Sequence, residues 1–193
     1  MGILFRGLRK PKSLRIGGKR LSEILEAHAR FARAEEGGAR AELAGADLAR
    51  ADLRGCNLRM ANLHGARLEG ADLREAKLTR ADLSEAKLRG ADLRSTDLTE
   101  ANLSKADLTE AQLAGVEVFR TDLRGAILHR ANCRATNFRG AILHGADFRE
   151  ADLNTALLKE ADLSEVDLRG VDLSTTLMPR GWKADNLAKS AAE

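Results

Sequence analysis

Chemistry in this chain would have to come from four histidines, two cysteines and a long series of aspartates. Histidine with cysteine ligates zinc, and paired carboxylates do acid–base work, but both uses need the groups brought within a few ångströms. Cys56 and Cys133 have no zinc motif around them, and His28, His64, His129 and His144 are scattered. The aspartates are the opposite case, because they recur at multiples of five along most of the chain. Such a ladder singles out no pair to desolvate and sets no nucleophile beside a base. Phosphate-binding loops and dinucleotide fingerprints are missing as well. The expectation is an absence of catalytic residues, metal site and cofactor.

The elements that carry these residues follow from the same interval. From Ala41 the sequence repeats in units of five, as in Ala-Asp-Leu-Arg-Gly at 51–55 and Ala-Asn-Leu-His-Gly at 61–65. The third position of the unit runs from Leu43 to Leu173 without a slip; it is Leu in 23 of 27 units and Val118, Cys133, Phe138 or Phe148 in the others. The first position is Ala in 20 of the 27 and otherwise Cys56, Thr or Val. Repetition of this strictness decides the fold class before any local propensity does.

Period five fits neither simple element. On an α-helix each unit would advance the leucine by ~140° and smear the apolar residues around the axis. On a straight strand an odd period would throw successive leucines to opposite faces. The pattern closes if the chain turns a corner every five residues. The first and third positions then point inward together, the second and fourth point out, and the fifth, often Gly, takes the positive φ of the corner. Four corners make a square coil of twenty residues, and coils stack through backbone hydrogen bonds.

The A(D/N)LxX run resembles the pentapeptide-repeat family over residues 41–178, about 70% of the chain. The resemblance implies an all-β solenoid, a right-handed quadrilateral β-helix. Seven coils at ~4.8 Å each make a rod ~33 Å long. Stacked inward leucines such as Leu63, Leu83 and Leu103 build its core.

The expected organisation is a basic arm at 1–20, a capping helix at 21–38, the repeat body at 39–178 and a short C-terminal cap or tail at 179–193. Ser22 is read as the N-cap of the helix, with Glu23 and Glu26 at its positive end and Gly37-Gly38 ending it. Ile24, Leu25, His28, Phe31 and Ala32 share one face, which would pack on the first coil. At the far end Pro179 stops the repeat, and Trp182 with Leu187 would plug the last coil. Four coils would separate the two cysteines, too far for a disulfide. A reducing cytoplasm is the expected compartment.

Charge bounds the partners. Residues 1–40 carry a net +6 and residues 41–178 a net −4. The seven basic side chains of residues 1–20, with no acid among them, suit contact with nucleic acid or an anionic membrane, or a solvated or loosely docked tail. Sorted by column, the units containing Leu43, Leu48, Leu53 and Leu58 net −4, 0, −2 and +2. Arg54, Arg74, Arg94 and Arg134 line the third column beside Asp52, Asp72 and Asp92, which reads as surface neutralisation. Phe119, Ile127, Ile142 and Leu157 break the polar rule at outward positions and form the candidate interaction surface.

A rigid scaffold or protein–protein interaction module, with an unidentified protein partner, is the function these features imply. The family resemblance supplies an alternative: some members mimic a DNA duplex, bind DNA gyrase and confer quinolone resistance. It also implies dimerisation through the C-terminal end. A duplex of ~33 Å would display about 20 negative charges, whereas the repeat body nets −4. That comparison favours the scaffold. Leu93→Asp should unfold the rod locally or abolish soluble expression. Burying one Leu is worth about 1.5–3 kcal/mol, and an unpaired carboxylate in its place is strongly penalised; yield and circular dichroism read the outcome.

Overall fold

Backbone pairing in this chain has one dominant period, twenty residues. The structure, a computed structural model, describes residues 7–183. Parallel bridges join the second position of a unit to the same position one coil on, from Glu42 with Asn62 to Leu157 with Leu177, with Asp152 the one exception in that run. Each side contributes three bonds of one pattern. Asn62 N–H donates to the Ala41 carbonyl at 2.9 Å, Leu43 N–H to Asn62 at 2.7 Å and Gly45 N–H to His64 at 2.8 Å. At the corner Ala46 N–H closes the turn on the Leu43 carbonyl at 3.1 Å.

The corner itself is uniform. Every fifth residue from Gly45 to Gly170 has φ between 53° and 76°. Glycine accepts this region freely, but Glu, Arg, Lys and even Thr155 also adopt it here. Each of those non-glycine residues gives up about 1–2 kcal/mol of local preference, which the coil-to-coil bonds and the core must offset.

The core is one continuous cluster. Its third-position residues are 0–2% exposed through Leu158, apart from the slightly more open far end, where Leu163 and Leu173 are half-buried. Thr96, Thr121, Thr136 and Thr176 take the small first position and are buried. Their hydroxyls donate to the carbonyls of Leu73, Leu98, Leu113 and Leu153, each 23 residues earlier, at 2.7–2.9 Å. A polar group inside the coil is thus satisfied by the coil before it. Phe138 and Phe148 pack edge to face with centroids 5.6 Å apart. The smaller third-position residues Val118 and Cys133 lie in the same stretch, so the extra ring volume is matched by missing volume beside it. The register also runs one unit beyond the expected last centre, since Leu177 bridges Leu157 and Met178 packs on the core.

Residues 7–20 are folded onto the first coil rather than extended as an arm. Arg9 pairs in parallel with Ala51: its N–H donates to Arg50 at 2.7 Å and its carbonyl accepts from Asp52 N–H at 2.9 Å. A 3₁₀ turn at Pro11–Ser13 follows. Strands β1 (Arg15–Ile16) and β2 (Lys19–Arg20) then form a small antiparallel hairpin through Gly17 and Gly18. Leu14 is buried at its base.

Helix α1 spans Leu21–Ala32. Its N-cap is Arg20 instead of Ser22, because the Glu23 carboxylate reaches back to accept the Arg20 N–H at 3.0 Å. It ends five residues short of Gly37, with Ala34 already at φ 55°. Gly38 does something other than stop the helix. A Cβ there would overlap the Phe31 backbone, so glycine lets the chain return closely along α1. Ala39 N–H then bonds the Ala27 carbonyl at 3.0 Å. Leu21 and His28 are fully buried, Ile24 and Leu25 are half-buried against the core, and Phe31 stacks on the His28 ring. Trp182 is half-buried against the core at the other end, while Leu187 lies outside the described residues.

Nδ1 of His28 accepts the Ala41 N–H at 3.0 Å. That ring therefore pins α1 to the first coil, and it must stay neutral to accept. Burial pushes its pKa below the ordinary 6.5, and the charge of Arg40 adds to the shift, against the Arg59 carbonyl.

Packing and protonation can each be checked. Phe148→Ala should lower stability by about 3–5 kcal/mol, and Cys133→Leu by about 1–3 kcal/mol through overpacking, both read from denaturant midpoints. For His28, the unfolded ring takes up a proton before the folded one. Its contribution is complete above about pH 6.5 and is lost as pH falls below that value. His28→Gln keeps an acceptor but cannot titrate, so the fall in urea midpoint between about pH 7 and pH 5 should shrink in that variant.

Candidate functional site

The ladder carboxylates are occupied by their own backbone. Asp or Asn at the second position accepts the N–H of the fourth, as at Asp47 to Ala49 (3.2 Å), Asn57 to Arg59 (3.3 Å) and Asp107 to Thr109 (3.0 Å). This is the local turn that short polar side chains make with the residue two on. It explains why the position favours Asp and Asn over their longer homologues.

Where the fourth residue is Arg, the guanidinium closes on the same carboxylate. Asp52–Arg54, Asp122–Arg124, Asp147–Arg149 and Asp167–Arg169 are such pairs, at 2.5–2.8 Å. The hydrogen bond from Arg holds each of these Asp carboxyls below its usual range. In the third column the pairs interlock, since Arg54 also reaches Asp72 and Arg74 reaches Asp92, each at 3.5 Å. Arg134 instead reaches forward to Asp152 at 3.2 Å. These groups are partnered acids and bases, not a free pair awaiting substrate.

Two arrays in the first column place His, Ser and Asp together, which no local motif announced. His64 Nδ1 lies 2.9 Å from Ser84 Oγ, and Ser84 donates to Asp82 at 2.7 Å. His144, Ser164 and Asp162 repeat the arrangement at 2.9 and 2.7 Å. The order of the chain matters. Nucleophilic catalysis needs His to take the serine proton and Asp to hold the far side of the ring. Here the serine hydroxyl donates its hydrogen bond to Asp, so toward the ring its oxygen can only accept. The sequence signal for both is a His followed twenty residues later by Ser in the same column.

The thiols are insulated. Burial pushes Cys56 up to about 11 and Cys133 higher still. Both are free cysteines. Among the described residues no cluster of His, Cys, Asp and Glu has the makings of a metal site.

The apolar outward residues fall in separate places. Ile127 is 41% exposed between Asp107 and Asp147, and Ile142 is 39% exposed between Asp122 and Asp162. Leu157 is half-buried and bridges Leu177, which is 48% exposed. Phe119 is half-buried under the Arg120 guanidinium, 5.0 Å from its centroid. Leu157 and Leu177 are thus brought together in one column, and Ile127 and Ile142 are not. Leu8 and Met60 are further exposed apolar residues that the repeat pattern does not single out.

The N-terminal end departs from a uniform rod. A cleft of about 520 Å³ lies among β1–β2, α1 and the start of the first coil, lined by Ile16, Lys19, Glu23, Ile24, Ala39 and Glu42 among others. A second, more polar one of about 510 Å³ runs from Pro11 along Asp52, Arg54 and Arg74. The non-repetitive segment creates both, and no periodicity could announce them.

A family model for pentapeptide repeats matches in eight copies, over residues 41–80, 76–115, 119–154 and 146–174. HetL, a pentapeptide repeat protein involved in heterocyst differentiation regulation from the cyanobacterium Nostoc sp. strain PCC 7120, is 35% identical. The match covers 75% of this chain and 73% of HetL, with a TM-score of 0.36. A pentapeptide repeat protein from the cyanobacterium Cyanothece 51142 is 34% identical over 53% of this chain and 63% of its own, with a TM-score of 0.36. QnrB1, a plasmid-mediated fluoroquinolone resistance protein, aligns over 80% of this chain and 97% of its own at 18% identity and a TM-score of 0.50, a likeness of fold. No curated protein matches the chain. The unbroken five-residue register, the twenty-residue ladder and the eightfold match agree: the chain belongs to the pentapeptide repeat family, whose members form right-handed quadrilateral β-helices.

Proposed function

We propose that this protein is a non-enzymatic rod of about seven coils, closed at its N-terminal end by α1 and at the other by the segment around Trp182, that serves a protein partner as a rigid scaffold. The observation that carries this reading is the occupation of the ladder: the paired Asp carboxylates are bound to the backbone and to Arg two residues on. Groups so held are fixed in position and muted in reactivity, which suits recognition more than turnover. Pentapeptide repeat proteins are generally non-enzymatic scaffold or interaction proteins, in line with this. The outward apolar residues Phe119, Ile127, Ile142 and Leu157 are contact points for a partner, and the Leu157–Leu177 pair near the last coil suits an end-on dimer. Free, insulated cysteines fit a reducing compartment such as the cytoplasm.

The DNA-mimic alternative asks for a strongly negative surface. The neutralised Asp–Arg pairs supply little of one. A gyrase supercoiling assay with and without a fluoroquinolone separates the two readings: the scaffold predicts no inhibition and no drug protection at micromolar protein. Inhibition or protection would replace the scaffold with the gyrase reading. In parallel, Ile127→Asp and Ile142→Asp should keep the circular dichroism of the parent while losing captured partner.

A further inference from the structure

The first coil of a β-helix offers, on its outer edge, hydrogen bonds that a preceding coil would have used. On the first side these are the Glu42 N–H, the Glu42 carbonyl and the Ala44 carbonyl, the counterparts of groups that bind the preceding coil at 2.7–3.0 Å along the rest of this side. None of the three has a partner among the described residues. On the third side Arg9 meets part of the same need, since it bridges Ala51 and its carbonyl accepts the Asp52 N–H. On the first side the edge is left open beneath the cleft walled by β1–β2 and α1.

The cleft has an apolar floor and a charged rim, and the segment beside it is basic. Ile16, Ile24, Ala27 and Ala39 line it. Of its charged groups, Glu23 is engaged by the Arg20 N–H, and Glu42 by the Asn62 amide at 2.7 Å and Arg40 at 3.4 Å. Lys19 is exposed and makes no ion pair among the described residues. Around it residues 7–20 carry six basic side chains and no acid.

We propose that this cleft docks an extended peptide of a partner protein, an apolar residue flanked by acidic ones, which adds one parallel strand to the edge at Glu42. Main-chain bonds to an open strand edge give such docking its affinity, and side-chain pockets give its selectivity. The apolar residue of the peptide enters between Ile16 and Ile24, and its carboxylates face Lys19. The volume of about 520 Å³ lies within the range of ligand clefts. The proposal deepens the interaction-module reading and rests on it, while naming a site separate from Phe119, Ile127, Ile142 and Leu157.

The test uses the full chain and a fluorescein-labelled peptide, Asp-Asp-Val-Ile-Val-Asp-Asp, followed by anisotropy. Saturable binding with a Kd in the micromolar range is expected, at least about tenfold weaker for the Lys-flanked version. Backbone N-methylation of the central residues should abolish binding, because it removes the strand bonds and leaves the charges. Lys19→Glu, on an exposed hairpin position, should keep the parent melting temperature and weaken the acidic peptide about tenfold. No saturable binding up to about 1 mM, equal binding of the N-methylated peptide, or indifference to Lys19→Glu would each overturn the proposal. So would binding of anionic vesicles with none of the peptide. Failure here with partner capture still sensitive to Ile127→Asp would sink the cleft alone and leave the scaffold reading intact.

Discussion

The corner governs this molecule. Each fifth residue takes a left-handed φ, and that turn decides where every other atom of the unit can point. It sets the five-residue side, hence the twenty-residue coil, hence the pairing of each second-position residue with the one twenty on. Only eight side chains per coil face inward, four of them next to the corner where space is smallest. Alanine or threonine suits those positions, and leucine suits the sides' midpoints. A hydroxyl survives inside because the carbonyl 23 residues back is within reach. The interior tolerates exchange of volume between neighbours, as with Phe138, Phe148, Val118 and Cys133, but has little room for net gain.

The same regularity limits the chemistry. An active site converges dissimilar groups on one point, whereas a ladder translates similar groups along a line. The His–Ser–Asp arrays show the difference. Residue types familiar from hydrolases meet at hydrogen-bond distance twice, and both times the serine proton is directed to the aspartate. Two copies four coils apart look like a consequence of the repeat, not of a reaction. Recognition has an easier route, because a rod displays side chains at fixed intervals with little loss of entropy on binding.

Much of the body was legible in the sequence because periodicity survives any local exception. Leu43 through Leu173, the first-position alanines and the corner at every fifth residue are all visible without coordinates. The ends were less so. Ser22 looks like an N-cap, but the capping group is Glu23, inside the helix and acting on the Arg20 N–H, a bond that sequence alone does not choose between. Gly37-Gly38 looks like a helix stop, yet Gly38 is needed for close approach to Phe31. The pairing of Arg9 on the third side left no trace, because one residue in a strand has no pattern. Of the candidate surface, the breaks at Phe119, Ile127, Ile142 and Leu157 were readable as apolar residues in polar slots. Their grouping was not, since the partner of Leu157 is Leu177, in a unit whose centre is Met178 instead of Leu.

The two ends of a solenoid are where translation stops, and so where specific function can enter. An open parallel edge would pair with another rod unless something prevents it. At the N-terminal end Arg9 bridges the third side, and His28 ties α1 to the start of the first side. The edge at Glu42 is recessed between a hairpin and a helix. A recess of that kind blocks the broad face of a second coil more than it blocks a single strand. Protection against self-association and selectivity for an extended segment then come from one arrangement of residues, and neither requires a change in the repeat.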